Sequence, residues 1–351
     1  MAEKQPGVIV GADTHKKFHV LTVITELGER LAFKYFDANA KGYDQALKWA
    51  KGYNTVLRAG IEATGSYGVG LAERFRKDGI AVFDVYRPDR QRRRRRGKND
   101  VEDSFQAAEA ALAYIRCATA KEKDGLLEAA RLLEGAYEQA VRQRTAAMNL
   151  LRADITTLPP KMRERLESMC RSELLKTCAS FRISKDAGTG EGAKVALRLL
   201  AKRVLALDKE AAELEKQIGC HARKLAPKTL SLLGIGCHGA IRLLCTAGKN
   251  IERFKNDASF SMLCGVSPVC ASSGDNIHLR LNRAGDRKAN CVLHTMAINR
   301  IKHCEKTQAF IERKMNENKS KKDAIRALKR YLAREVYYAL KADLAELGYA
   351  A

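Results

Sequence analysis

Between residues 8 and 85 the chain alternates short apolar runs with amphipathic stretches, and this alternation limits the possible folds more than any other feature. The runs "VIV" (8–10) and "FHVLTVI" (18–24) have the length and branching of strands and flank a turn around His15–Lys17. "ERLAFKYF" (29–36) reads as a third strand, "GYDQALKWAKGY" (42–53) as a helix and "TVLRAGIEA" (55–63) as another apolar run. "GVGLAERFRKDG" (68–79) is helical in period and "IAVFDV" (80–85) has strand character. Three antiparallel strands followed by alternating helices and strands fit an α/β domain of the ribonuclease-H type.

From about Asp124 the period changes. Leu126, Ala130, Leu133, Tyr137 and Val141, then Met148, Leu151, Ile155 and Leu158, recur at helical spacing, with an interruption at Arg144 and a stop at Pro159–Pro160. A second helical run carries Ala196, Leu200, Val204, Leu207, Ala211, Leu214 and Ile218, and the glycine-containing "SKDAGTGEGAK" (184–194) before it reads as a loop. Two long amphipathic helices joined by a linker predict an antiparallel hairpin or coiled coil, serving either an internal bundle or dimerisation. Pro227 opens a third, mostly helical segment. The expected fold is α/β followed by α, with domains at 1–122, 123–225 and 226–351.

The net charge of +23 over 351 residues favours a polyanionic partner, nucleic acid ahead of an anionic membrane. No run approaches the roughly 18 apolar residues of a membrane span, and the first residues lack the apolar core of a signal peptide. The ten cysteines form no C-x-x-C pair and read as reduced thiols of a cytoplasmic protein.

Acids stand at unusual places. Asp13 ends an apolar strand, Glu62 ends another, and Asp100 and Asp103 open an alanine-rich helix, where a spacing of three sets them on one face. Acids at a helix start need no catalysis to explain them. Four carboxylates converging on one site, however, would repel one another unless a divalent cation neutralised them; Mg²⁺ suits hard oxygen ligands, and two such ions about 4 Å apart clamp a phosphodiester. Arg92, Arg93, Arg94, Arg95 and Arg96, with Lys98, run directly into this helix and match phosphate oxygens. Arg280, Arg283, Arg287 and Lys288 crowd a second basic stretch. "LLGIGCHGAIRLL" (232–244) has the look of a helix-hairpin-helix turn, in which Gly234 and Gly236 admit a phosphate to a helix start. His238, His278 and His294 read as incidental.

"VGADTHKKFHV", "GIEATGSYG", "VYRPDRQRRRRRGKNDVEDS" and "PVCASSGDNIHLRLNRAGDRKANCVLH" together resemble the DEDD-type transposases of insertion-sequence family one-ten, bridge-RNA-guided recombinases. The resemblance extends from about Gly7 to Ile301. It implies an N-terminal domain like the RuvC Holliday-junction resolvase, a coiled-coil middle and a C-terminal transposase domain. It also implies that Asp13, Glu62, Asp100 and Asp103 bind metal. Ser104 departs from the family, which usually has alanine there, with no functional consequence expected.

The same resemblance implies a nucleophilic serine in "SSGDN", carried here onto Ser273 with Ser272 beside it. A serine hydroxyl needs activation by a base or metal, and the expected chemistry is attack on a DNA phosphodiester to leave a covalent phosphoserine link. The implied partners are donor and target DNA, a guide (bridge) RNA and further copies of the chain as a dimer or tetramer, with no membrane. The residues alone leave open a metal-dependent nuclease or junction resolvase without serine chemistry, an actin-like ATPase, and a protein that only binds nucleic acid.

Overall fold

A computed structural model describes residues 7–86, 99–122, 125–183, 189–271 and 279–349. The chain divides into two compact units, Met1–Glu122 and Lys123–Ala351.

The first unit is built on one mixed sheet. Strands β1 (Val8–Thr14), β2 (Phe18–Thr25) and β3 (Arg30–Asp37) form an antiparallel meander, and helix α1 (Ala40–Lys51) leads to β4 (Val56–Glu62). Helix α2 (Val69–Lys77), β5 (Ala81–Val85), α3 (Asp100–Ala113) and β6 (Cys117–Thr119) complete it. The strand order is β3-β2-β1-β4-β5-β6, with β1/β4 and β4/β5 parallel and the other pairs antiparallel. This is the expected ribonuclease-H-like arrangement, with β6 as an edge strand that the sequence pattern does not announce.

The centre of the sheet is apolar on both faces. Val8, Val10, Ala12, Leu21 and Val23 pack with α1 and α2 through Leu47, Leu71 and Phe75, while Ile9 and Ile24 face Ala108 and Ala111 of α3. A strand covered on both sides must be continuously apolar, which is why "VIVGA" shows no alternation.

Helix α3 lies unusually close to the sheet. A Cβ added at Gly11 would sit 2.0 Å from the Ser104 carbonyl oxygen, and one at Gly60 would sit 2.2 Å from that of Ala107. Gly11 and Gly60 are register partners on β1 and β4. Backbone therefore meets backbone, and the helix answers with small residues, Ser104, Ala107, Ala108 and Ala111, at positions i, i+3, i+4 and i+7.

Among the described residues the second unit is helical apart from one small hairpin. Helix α4 (Gly125–Thr156) runs unbroken through Arg144, whose Nη1 donates to Asp208 Oδ1 at 3.1 Å, so the expected interruption is an interhelical ion pair and not a break. Helices α5 (Pro160–Glu167) and α6 (Arg171–Ala179) follow, and α7 (Thr189–Leu225) is longer than the sequence suggests. Thr189–Lys194, read as loop, forms its first turns; glycines at 190 and 192 weaken a helix but do not forbid one. Leu127 and Ala130 share a core with Ile218 and Ala222, whereas Met148 and Leu151 share one with Leu197 and Ala201. Helices α4 and α7 are thus antiparallel.

Beyond them come α8 (Pro227–Leu230), α9 (Cys237–Ala247), a 3₁₀ turn (Ile251–Arg253) and α10 (Asp257–Leu263). The short strands β7 (Val269–Cys270) and β8 (Leu279–Arg280) precede α11 (Arg287–His303), α12 (Glu305–Asn316) and α13 (Lys321–Glu346). Gly234 adopts φ +93°, where only glycine is unstrained, in the turn before α9.

His238 is not incidental to packing. Its Nδ1 lies 2.7 Å from Oε2 of the buried Glu134, its ring rests 4.2 Å from that of Tyr137, and Arg242 Nε donates to Glu134 Oε1 at 2.6 Å. All ten cysteines are free thiols. No helix among the described residues is long and apolar enough to cross a membrane.

Candidate active site

Asp13 and Glu62 stand at the carboxyl ends of the adjacent parallel strands β1 and β4, the end at which open α/β sheets place their ligands. Thr14 Oγ1 donates to the Glu62 carbonyl oxygen at 2.9 Å and fixes the two ends together. Just beyond Glu62 the chain turns sharply, with Ala63 in the left-handed region at φ 54°, a conformation that costs a non-glycine residue roughly 1–2 kcal/mol.

Asp100 and Asp103 reach the same place because α3 begins there. Asn99 caps that helix, its side chain accepting from the Val101 N–H at 3.0 Å, and the Asp103 N–H donates to the Asn99 carbonyl oxygen at 2.9 Å. The close contact at Gly11 and Gly60 holds the first turn of the helix over the strand ends. Asp103 is buried, and it lines, together with Glu62, a cavity of about 430 Å³.

The other three acids all act on Asp13. Burial pushes its carboxyl above the ordinary carboxylate range; His15 opposes this, Asp103 and Asp100 add to it, and a hydrogen bond with Glu62 opposes it. The net direction is upward. A buried acid among acids is a site that lacks positive charge.

His15 is the residue that sequence reasoning missed. Its Nε2 lies 3.2 Å from Asp13 Oδ2 and 3.4 Å from Asp100 Oδ2. That nitrogen is shielded from solvent yet makes no hydrogen bond, while the ring rests on Phe18 at 4.8 Å. The available signal was the spacing in "DTH": residues i and i+2 at a strand end project to the same side. Ligand atoms of Asp13, His15 and Asp100 all lie within 4.8 Å of one another, so the three could hold one metal ion. Two carboxylates and an orphaned buried imidazole nitrogen are a donor set that a divalent cation satisfies.

The other expected site residues fall into two groups. Arg92–Arg96, Lys98, Ser272 and Ser273 lie outside the described residues. Arg280 is on β8, Arg287 and Lys288 open α11, and Arg283 stands between. Arg280, Arg283 and Arg287 line a second, larger cavity, whereas Lys288 Nζ pairs with Glu138 Oε2 at 2.6 Å.

Comparison with protein families matches residues 10–160 to the DEDD transposases of IS110, described as Transposase, and residues 228–312 to the Transposase IS116/IS110/IS902 family. The chain belongs to the IS110 family of transposases. The two matches together span about two thirds of it. The first contains Asp13, His15, Glu62, Asp100 and Asp103, and the second contains the basic stretch at 280–288. No curated protein matches the chain. As a member of a transposase family it is a DNA-processing enzyme, and DNA is its substrate.

Proposed function

We propose that this transposase cuts, exchanges and rejoins DNA strands by phosphodiester transesterification, with Ser273 as nucleophile and Mg²⁺ held by Asp13, Glu62, Asp100 and Asp103. The observation that carries the reading is Asp13 itself: a buried carboxylate, raised in pKa by its surroundings, at the strand ends where three further acids meet it. Cations bound there would polarise phosphoryl oxygens. His15, whose Nε2 faces both Asp13 and Asp100, would supply a further ligand atom to a cation there.

In this reading the Ser273 hydroxyl oxygen bonds to phosphorus and the phosphorus–oxygen bond to one deoxyribose breaks. The serine gives up its proton, the departing deoxyribose oxygen gains one, and rejoining runs the same exchange in reverse. No external energy source is required, since one phosphoester replaces another. Sequence choice resides in a guide RNA. The acids of one copy act with the serine of another, which requires an oligomer built through the helical segment 123–225, while residues 226–351 carry the serine. Leu132 and Leu150 on α4 and Leu199 on α7 are more than half exposed, which supports an apolar contact surface on that helical pair.

The test is a denaturing gel of protein incubated with element-end DNA and Mg²⁺. Wild type is expected to form a covalent adduct that chelation of the metal abolishes, and Ser273→Ala to form none. An adduct retained by Ser273→Ala and lost by Ser272→Ala moves the nucleophile one residue; cleavage without any adduct in wild type replaces this reading with a metal-dependent nuclease. RNA that copurifies with the protein from its host is expected to derive from DNA flanking its gene.

A further inference from the structure

The larger cavity of the second unit, about 1330 Å³, is bounded on one side by the final helix α13, which neither family match reaches. Lys322, Arg326, Arg330 and Arg334 on that helix all line it. They follow one another at i, i+4, i+8 and i+12, a single stripe advancing about 6 Å per step. Like charges at i, i+4 destabilise a helix, so the stripe works against the stability of the element that bears it.

Internal pairing relieves it only in part. Arg326 Nη1 donates to Asp323 Oδ1 at 2.6 Å, and Arg330 Nη1 donates to Ser261 Oγ at 2.8 Å, with Asp257 Oδ2 at 3.5 Å. Lys322 and Arg334 meet no carboxylate at ion-pair distance among the described residues. Facing the stripe, Arg280, Arg283 and Arg287 are likewise without a carboxylate partner among the described residues. At the cleft wall Lys329 Nζ donates to Asn290 Oδ1 at 2.7 Å. Eight cationic side chains therefore line one cleft against two carboxylates, Asp257 and Asp323.

A concave cleft with that surplus fits a polyanion that enters it and not a flat anionic bilayer. Guanidinium forks spaced along a rigid helix suit successive phosphates. Pro268, just before β7, and Arg280 of β8 line the cleft, and the sequence between those two strands contains Ser272 and Ser273. In the serine reading the strand being cut is attacked by a residue of the segment that joins β7 to β8, and Arg280 of β8 lines the cleft, so that strand is the occupant the proposed chemistry supplies.

We infer that the cleft between α13, α11 and the β7–β8 hairpin binds the backbone of the DNA duplex undergoing cleavage, with Lys322, Arg326, Arg330 and Arg334 as a phosphate-contacting stripe. The choice of the strand being cut as occupant rests on the serine reading above; the cleft as a DNA-binding surface does not.

The experiment compares wild type with Lys322→Gln/Arg334→Gln. Both residues are exposed, so the fold should tolerate the change, and circular dichroism and melting check this. A fluorescein-labelled DNA duplex and an RNA hairpin of equal length are titrated across a series of salt concentrations without Mg²⁺. The slope of log K against log salt for the duplex is expected to flatten by about 0.9 per lost contact, nearly 2 for the pair. The control Lys209→Gln/Lys216→Gln, on the exposed face of α7, is expected to keep the wild-type slope. An unchanged duplex slope in the cleft variant, or a slope that flattens for the RNA hairpin alone, overturns the inference. Adduct formation is scored separately: wild-type adduct with an unchanged slope removes the cleft and leaves the serine reading, while a flattened slope without adduct keeps the duplex-binding cleft and removes the serine reading.

Discussion

Ser104 shows how much one hydroxyl does at the acid site. It is fully buried, donates to the Val101 carbonyl oxygen at 2.8 Å and lies 2.6 Å from Thr22 Oγ1. With its own proton on Val101, it accepts from Thr22, so it links the first turn of α3 to β2. Ser104→Ala leaves the buried Thr22 hydroxyl without that acceptor, an expected loss of about 1–3 kcal/mol. Thr22→Val added to Ser104→Ala should recover most of it, since removing both partners leaves nothing unsatisfied; urea denaturation of the four proteins of the cycle measures the coupling. The smallness of Ser104 is legible from an alanine-rich helix, but its bond to a residue 82 positions away is not.

At the scale of elements, the acid site depends on how closely α3 lies against β1 and β4. Gly11→Ala places a methyl within 2.0 Å of the Ser104 carbonyl oxygen, and backbone cannot step aside as a flexible side chain can. The expected cost is about 1–3 kcal/mol, with weaker Mn²⁺ binding, read by electron paramagnetic resonance, because the first turn carrying Asp100 and Asp103 shifts with the helix. Gly135→Ala, which meets nothing within 4 Å on α4, is the control and should leave both unchanged or raise stability slightly. Unaltered Mn²⁺ affinity in Gly11→Ala would separate the helix contact from the site. Gly11 and Gly60 sit in apolar runs where the sequence shows only small residues; their role appears once the register pairs them.

For the whole molecule, two compact units predict two unfolding transitions that pH should move differently. His19 is buried in the first unit and stacks on Tyr43 at 5.5 Å, and burial holds its imidazole below its ordinary 6.5. A group whose folded pKa is depressed makes the unfolded state bind more protons, so its contribution is fully present above 6.5 and is lost as pH falls from there toward the folded pKa. Asp13, raised in the same unit, has the opposite sign, so the informative quantity is the difference between wild type and His19→Phe, in which Asp13 cancels. Calorimetry should show that difference confined to the first transition and to pH below about 6.5. In the second unit, burial of Glu134 is outweighed by His238 and Arg242, which hold its carboxyl below the ordinary value; that contribution is lost only as pH falls below about 4.5.

Local chemistry fixed a good deal in advance. Strand-length apolar runs, the change of period near residue 124 and acids at the ends of strands are properties of neighbouring residues, and they carried the α/β-then-α architecture and the acids that meet at Asp13. The surplus of positive charge favoured a polyanionic partner in the same way. Only the folded chain could join groups whose partners are remote: His15 with Asp100, Ser104 with Thr22, and the α13 stripe with Arg280 and Arg287 across a cleft. Periodicity records which face of an element is apolar, whereas contact between elements depends on register and approach distance, which a one-dimensional pattern does not contain.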